Sequence, residues 1–406
     1  MVIKMKMTSR QRIIETLNHR EPDGLAIDFG GMRSTGISAI AYNKLKAYLG
    51  MAGGVTKVYD VFQQLAEPEQ EIMERMGADV VQLHRYAPSF GIANDKWKEG
   101  LLPDGSPCLY PKQFNPQENE RGEKEIRDGE LVLAKMPAGG LYYDSVHFPY
   151  QHVESRAEID EIPIGGMDEA ELSYLRTEAA RLYAGSDKAI IGAFGGNILE
   201  AGLSGWGFEK FFCEMAAEPE LVHYWLEKLT DQYMDDLKRY LAAVGTYINV
   251  IQFGDDLGTQ KAPVISPQMY REMIKPYHQR QYRYVREHYP AVKVFLHSCG
   301  AIRELIPDLI DAGVDILNPV QISAQGMDPF ELKRDFGKDI VFWGGGADMQ
   351  QSVKASSIGQ IKSEVRRLIE TFSPGGGFVF SQVHNILADV PPEKIMAIYD
   401  TALEYR

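Results

Sequence analysis

The chain has 406 residues, 44% of them hydrophobic and 25% charged, with a formal net charge of −14; that length suits one large barrel or two smaller domains. The acidic balance, without any cluster of Lys and Arg, argues against a partner recognised through its phosphate backbone, so no nucleic acid is expected. Apolar runs fall well short of the roughly 20 residues of a membrane span, and the basic start MVIKMKMTSRQR lacks a signal-peptide core, so a soluble, cytoplasmic protein with no membrane partner is expected.

From the N-terminus onward, β-branched runs that end in Gly or a polar residue alternate with helical periodicities. The runs are LAIDFGG from Leu25, ADVVQLH from Ala78, AIIGAFGG from Ala189, INVIQFGDD from Ile248, KVFLHSCG from Lys293, VDILNPVQ from Val314, DIVFWGGGAD from Asp339 and GFVFSQVHN from Gly377. Between the third and fourth, Leu226, Leu229, Tyr233, Leu237, Tyr240 and Val244 recur at helical spacing until Gly245. Eight near-continuously apolar runs separated by helices predict a (β/α)8 TIM barrel, read as a single domain over 1–406. The gap at 85–187 holds WKEGLLPDGSPCLYP and DGELVLAKMPAGGLYYD, whose Asp-Gly turn signals predict a β-rich insertion after the second strand. Tyr142 and Tyr143 lie in this gap, where turn packing is expected of them. Cys213 sits on an apolar helical segment and reads as structural. With Cys108 and Cys299 it forms no disulfide framework. Neither GGG stretch opens a helix in the manner of a phosphate loop.

Barrel active sites lie where strands end, so polar residues there are candidates. The first strand leads to Arg33, the third to Glu200, the fourth to Asp255 and Asp256, and the sixth to Asn318 and Gln321. Arg33, Glu200, Asn318 and Gln321 are candidate substrate contacts. Of the adjacent aspartates, one is expected to cap the next segment, and the other to serve as a base or to orient a ligand. The fifth strand ends at His297 and Cys299, two apart and so on one face, near the mouth. Imidazole and thiolate are both zinc ligands, and His384 at the end of the eighth strand is the candidate for a third. The structural alternative is a satisfied core His beside an inert buried Cys.

Stretches along nearly the whole chain, RQRIIETLNHREPD, FGDDLGTQKAPVISPQMYREMIKPYH, HSCG, LIPDLIDAGVDILNPVQ, FWGGGADMQ and HNILADVPPEKI, resemble the uroporphyrinogen decarboxylase superfamily, in particular its branch related to cobalamin-dependent methyltransferases. The resemblance implies a (β/α)8 barrel. In that branch an H-x-C pair and a Cys near the end of the last strand hold zinc; His297 and Cys299 match the pair, and His384 stands where the Cys would lie. The implied activity is zinc-dependent transfer of a methyl group between a small methyl ether or thiol and a cobalamin. That cobalamin is expected on a separate corrinoid protein, because no D-x-H-x-x-G stretch occurs here. True decarboxylases of the family carry an arginine-rich M-R-Q-A-G-R loop after the first strand, whereas FGGMRSTGIS keeps Arg33 alone. Tetrapyrrole decarboxylation and non-catalytic tetrapyrrole binding are therefore the alternatives to methyl transfer.

Overall fold

The computed structural model describes residues 6–51 and 53–406; the first five residues of the basic start lie outside the described residues. Eight strands form one parallel sheet: β1 (Ala26–Ile27), β2 (Val80–Leu83), β3 (Ala189–Gly195), β4 (Val250–Gly254), β5 (Lys293–His297), β6 (Ile316–Asn318), β7 (Val341–Trp343) and β8 (Phe378–Phe380). Their order is β1-β8-β7-β6-β5-β4-β3-β2, each parallel to its neighbour. All eight expected strands are present, and the fold is the TIM barrel that they predict. Asp79 closes the seam between β1 and β2: its N–H donates to the Ile27 carbonyl at 2.8 Å, and its Oδ2 accepts the Ile27 N–H at 3.0 Å.

Alternation along each strand separates two apolar layers. Val80, Ile191, Val250, Phe295, Ile316, Val341, Trp343 and Val379 fill the barrel interior together with Ile13 and Leu17. The latter two belong to helix α1 (Ser9–Leu17), begun by a Thr8/Gln11 capping box. Its Arg10 donates to the Lys188 carbonyl just before β3, which sets α1 across the N-terminal end of the barrel. Residues one step away, such as Ile190, Ile251, Val294, Leu296 and Phe342, pack outward against the helices. Burial on both faces explains why these strands read as continuous apolar runs.

The segment at 85–187 is β-rich only as far as Ser145. It contains a pair, Trp97–Leu101 with Pro107–Pro111, and a four-stranded antiparallel sheet running from Gln117 to Ser145. Tyr143 is buried in the small core of this insertion, while Tyr142 is exposed. The end of the segment is helical instead. In α2 (Glu169–Gly185), Leu172, Leu175 and Ala179 form a buried stripe and Asp168 caps the first turn. A further hairpin, Val58–Asp60 with Leu65–Ala66, lies between β1 and β2 and is not signalled by any turn dipeptide. Cys213 is exposed because Phe211 and Met215 take the buried stripe of its helix. No described helix is long and apolar enough to cross a membrane.

Candidate metal centre and mouth pocket

Phe295 points into the barrel, and His297, two residues further along β5, shares its face at the C-terminal mouth. The strand ends there, so Cys299 stands just beyond it, on the turn. Its Sγ lies 3.5 Å from His297 Nε2. His384 follows β8 with φ of 58°, and its ring centroid is 5.5 Å from that of His297. One donor atom from each of His297, Cys299 and His384 lies within 4.8 Å of the other two. A tetrahedral zinc with bonds of about 2.0–2.1 Å to nitrogen and about 2.3 Å to sulfur separates such donors by about 3.5 Å, so the set fits that ion. Burial, and then the neighbouring His297, push the His384 pKa down to about 4, leaving its ring neutral at pH 7. Burial and the Asp256 carboxylate push the Cys299 thiol up, and a bound cation reverses that preference.

The turn after β5 is held at several points. Asp256 Oδ1 accepts the Cys299 N–H at 2.9 Å and lies 3.7 Å from His297 Nε2. Gln321 Oε1 accepts the Gly300 N–H at 2.8 Å, and Asn318 Oδ1 is 2.6 Å from His297 Nδ1. Asn318 and Gln321, expected as substrate contacts, instead hold the His297 ring and the turn that carries Cys299 from behind. Both are buried and neither lines the cavity, because their polar atoms are taken by the chain itself.

Asp255 also differs from a free base. It is fully buried and accepts the N–H groups of Ile198, Leu199 and Glu200 at 2.8–3.0 Å, at the start of helix α3 (Leu199–Trp206). His278 Nε2 lies 2.6 Å from its Oδ2, and Tyr270 Oη lies 3.2 Å from the other nitrogen of that ring. Asp255 therefore anchors α3, while Asp256 faces the mouth, which is the division of labour that their adjacency demands.

Glu200, thus placed, lines a cavity of about 310 Å³ together with His297, His384, Asp256 and Arg33. Its carboxylate accepts from Asn197 Nδ2. Burial, then the charges of Asp255 and Asp256, push its pKa up to about 8, so it carries a proton at neutral pH.

Two arginines reach this mouth, and both are paired. Arg33 forms an ion pair with Asp60, and Arg85 forms a two-pronged one with Glu171 while donating to the Phe194 carbonyl at 3.1 Å. Asp60, Tyr59, Arg85 and His84 also line the cavity. The last two stand at the end of β2, a position that signals them. Tyr59 and Asp60 arrive on the hairpin, which carries no such signal.

A family model described as uroporphyrinogen decarboxylase (URO-D) matches residues 143–405. Among curated proteins, the uroporphyrinogen decarboxylase of Methylococcus capsulatus is 29% identical over 338 residues, covering 80% of this chain and 91% of that protein. That of Psychromonas ingrahamii is 27% identical over 212 residues, covering 50% of this chain and 55% of the relative; the chain thus spans little more than half of that relative's length. Among solved structures, a methyltransferase from Methanosarcina mazei superposes with a TM-score of 0.59 at 14% identity, covering 98% of this chain and 99% of that one.

Proposed function

The chain belongs to the uroporphyrinogen decarboxylase family, and from that premise we propose that it is a zinc-dependent methyltransferase, moving a methyl group between a small methyl ether or thiol and a corrinoid carried by a separate protein. The observation that carries this reading is the convergence of His297, Cys299 and His384, from the ends of two strands, on a point at the barrel mouth. These three side chains would hold the zinc, leaving a fourth position open. Zinc held there would supply Lewis acidity, stabilising negative charge on a thiol or on the oxygen leaving an ether. Asp256 fixes the Cys299 backbone, and so the direction of its sulfur. Glu200 holds a proton on a carboxyl group that faces the cavity, where it can be given to the oxygen leaving an ether as charge develops. The name of the Methanosarcina mazei neighbour agrees with this reading.

The names of the curated relatives favour decarboxylation of a tetrapyrrole instead. Against it stand the two mouth arginines. A substrate with many carboxylates needs several guanidinium groups free to grip them, and here Arg85 is engaged by Glu171, which leaves Arg33, in contact with Asp60 through Nε, to meet them alone.

The test is zinc per chain in protein purified without chelator, followed by assays of both reactions. About one zinc per chain is expected, lost in Cys299→Ser and in His384→Ala while both variants stay folded. Methylation of a reduced corrinoid by methyl ethers, or demethylation of a methyl-corrinoid by thiols, should require the metal. Substoichiometric zinc after zinc-supplemented growth, or metal-independent release of CO2 from uroporphyrinogen, would overturn the proposal.

A further inference from the structure

We infer that Asn318 is a positioning residue that decides which nitrogen of His297 is offered to a metal. The carboxamide is fully buried. Its Nδ2 donates to the Trp343 carbonyl at 2.9 Å on β7. Turning the amide over would set Oδ1 against that carbonyl, two acceptors without a proton between them, so its orientation is forced. Oδ1 then faces His297 Nδ1 at 2.6 Å and Ser34 Oγ at 2.9 Å.

An amide oxygen only accepts. The neutral His297 ring must therefore carry its proton on Nδ1, and Nε2 presents a bare lone pair on the side of Cys299 Sγ. A neutral histidine ring in water favours the opposite arrangement, with the proton on Nε2. In that form the N–H would point at the metal position and the lone pair at the buried amide. Asn318 thus selects the ligating tautomer before any ion arrives, using contacts from β6, β7 and the turn after β1. It is the role that an outer partner of a metal-bound histidine plays generally, here filled by an amide whose own orientation is locked.

The consequence for affinity rests on the zinc reading, whereas the tautomer does not, and the experiment separates the two. Metal-free protein labelled with 15N-histidine is studied by long-range 1H–15N correlation at about pH 8, where an ordinary histidine is neutral. The His297 signals are identified by their loss in His297→Gln. The proton is expected on Nδ1 in the wild type and is expected to redistribute toward Nε2 in Asn318→Ala. Zinc affinity, from competition with a chromophoric chelator, should fall about 10–100-fold in Asn318→Ala. Should Asn318→Ala not fold, the wild-type tautomer still carries the test. A wild-type His297 protonated on Nε2, or an Asn318→Ala variant with unchanged tautomer, overturns the inference. The expected tautomers in a protein that binds no zinc would support the role of Asn318 while removing the zinc reading.

Discussion

Asp255 and Asp256 are chemically identical neighbours, and the direction of each side chain gives them unrelated tasks. Asp255 meets three N–H groups at the start of α3 and a buried histidine. Its removal leaves donors orphaned in an apolar setting. Asp255→Ala is therefore expected to cost at least about 3 kcal/mol, against less than about 1 kcal/mol for the half-exposed Asp256→Ala; urea denaturation of both variants measures the contrast, and equal losses would contradict the assignment. Glu200 makes a prediction of the opposite kind. Its carboxyl has an ordinary value of 4.5 and sits near 8 in the fold. Between those values the folded chain keeps a proton that the unfolded chain has lost. The contribution of this group to stability is greatest below about pH 4.5 and is lost progressively as pH rises toward about 8. Glu200→Gln cannot ionise, so in zinc-free protein its stability relative to wild type should climb across that window. A difference that stays constant with pH would show that Glu200 is ionised in the fold.

At the scale of elements, the turn after β5 shows how a strand end is made to carry the candidate ligand Cys299. Gly300 has φ of +89°, and a Cβ there would lie 2.4 Å from the Gly258 backbone. Only glycine lets the turn pass so close to the neighbouring loop while its N–H reaches Gln321. Gly300→Ala is expected to cost about 2 kcal/mol or more from strain and overlap and to displace Cys299, lowering zinc retention together with melting temperature. A variant with normal stability and full zinc would mean that the turn is not rigid. Much of this element was legible beforehand: an apolar strand ending in H-S-C-G places His297 and Cys299 near each other at a barrel mouth. The stretch at 169–185 was less legible, because the Asp-Gly turns before it drew a β-rich reading across a helix whose buried stripe holds only Leu172, Leu175 and Ala179. The hairpin bearing Asp60 was invisible for a similar reason: its strands are two and three residues long, too short for an alternation to register.

For the molecule as a whole, closure of the barrel depends on one carboxylate. Asp79 is fully buried, and besides bonding Ile27 it receives Arg12 Nη1 and Arg406 Nη2 at 2.8 Å each. Arg12 on α1 is itself buried and also bonds Asp23 at 2.9 Å. Asp79→Ala would leave the Ile27 N–H without its acceptor and take one of two carboxylates from Arg12, which keeps Asp23, and a loss of about 1–3 kcal/mol is expected, read as a lower urea midpoint with early loss of amide protection in β1 and β2. Protection lost uniformly across all eight strands would show that the seam has no special weakness. By itself, the sequence determined the eight strands, the barrel and the ends at which chemistry could gather, because strand burial and helical periodicity are local patterns that persist whatever lies opposite. It also set His297 and Cys299 side by side. Only the tertiary structure decided that Asn318 and Gln321 face the end of β5 and the turn after it, that Asp255 belongs to α3, and that Arg33 and Arg85 each meet a carboxylate. Each of those outcomes depends on a partner contributed by a distant segment, as Arg85 finds Glu171 at a separation of 86 residues, and no pattern within either segment names the other.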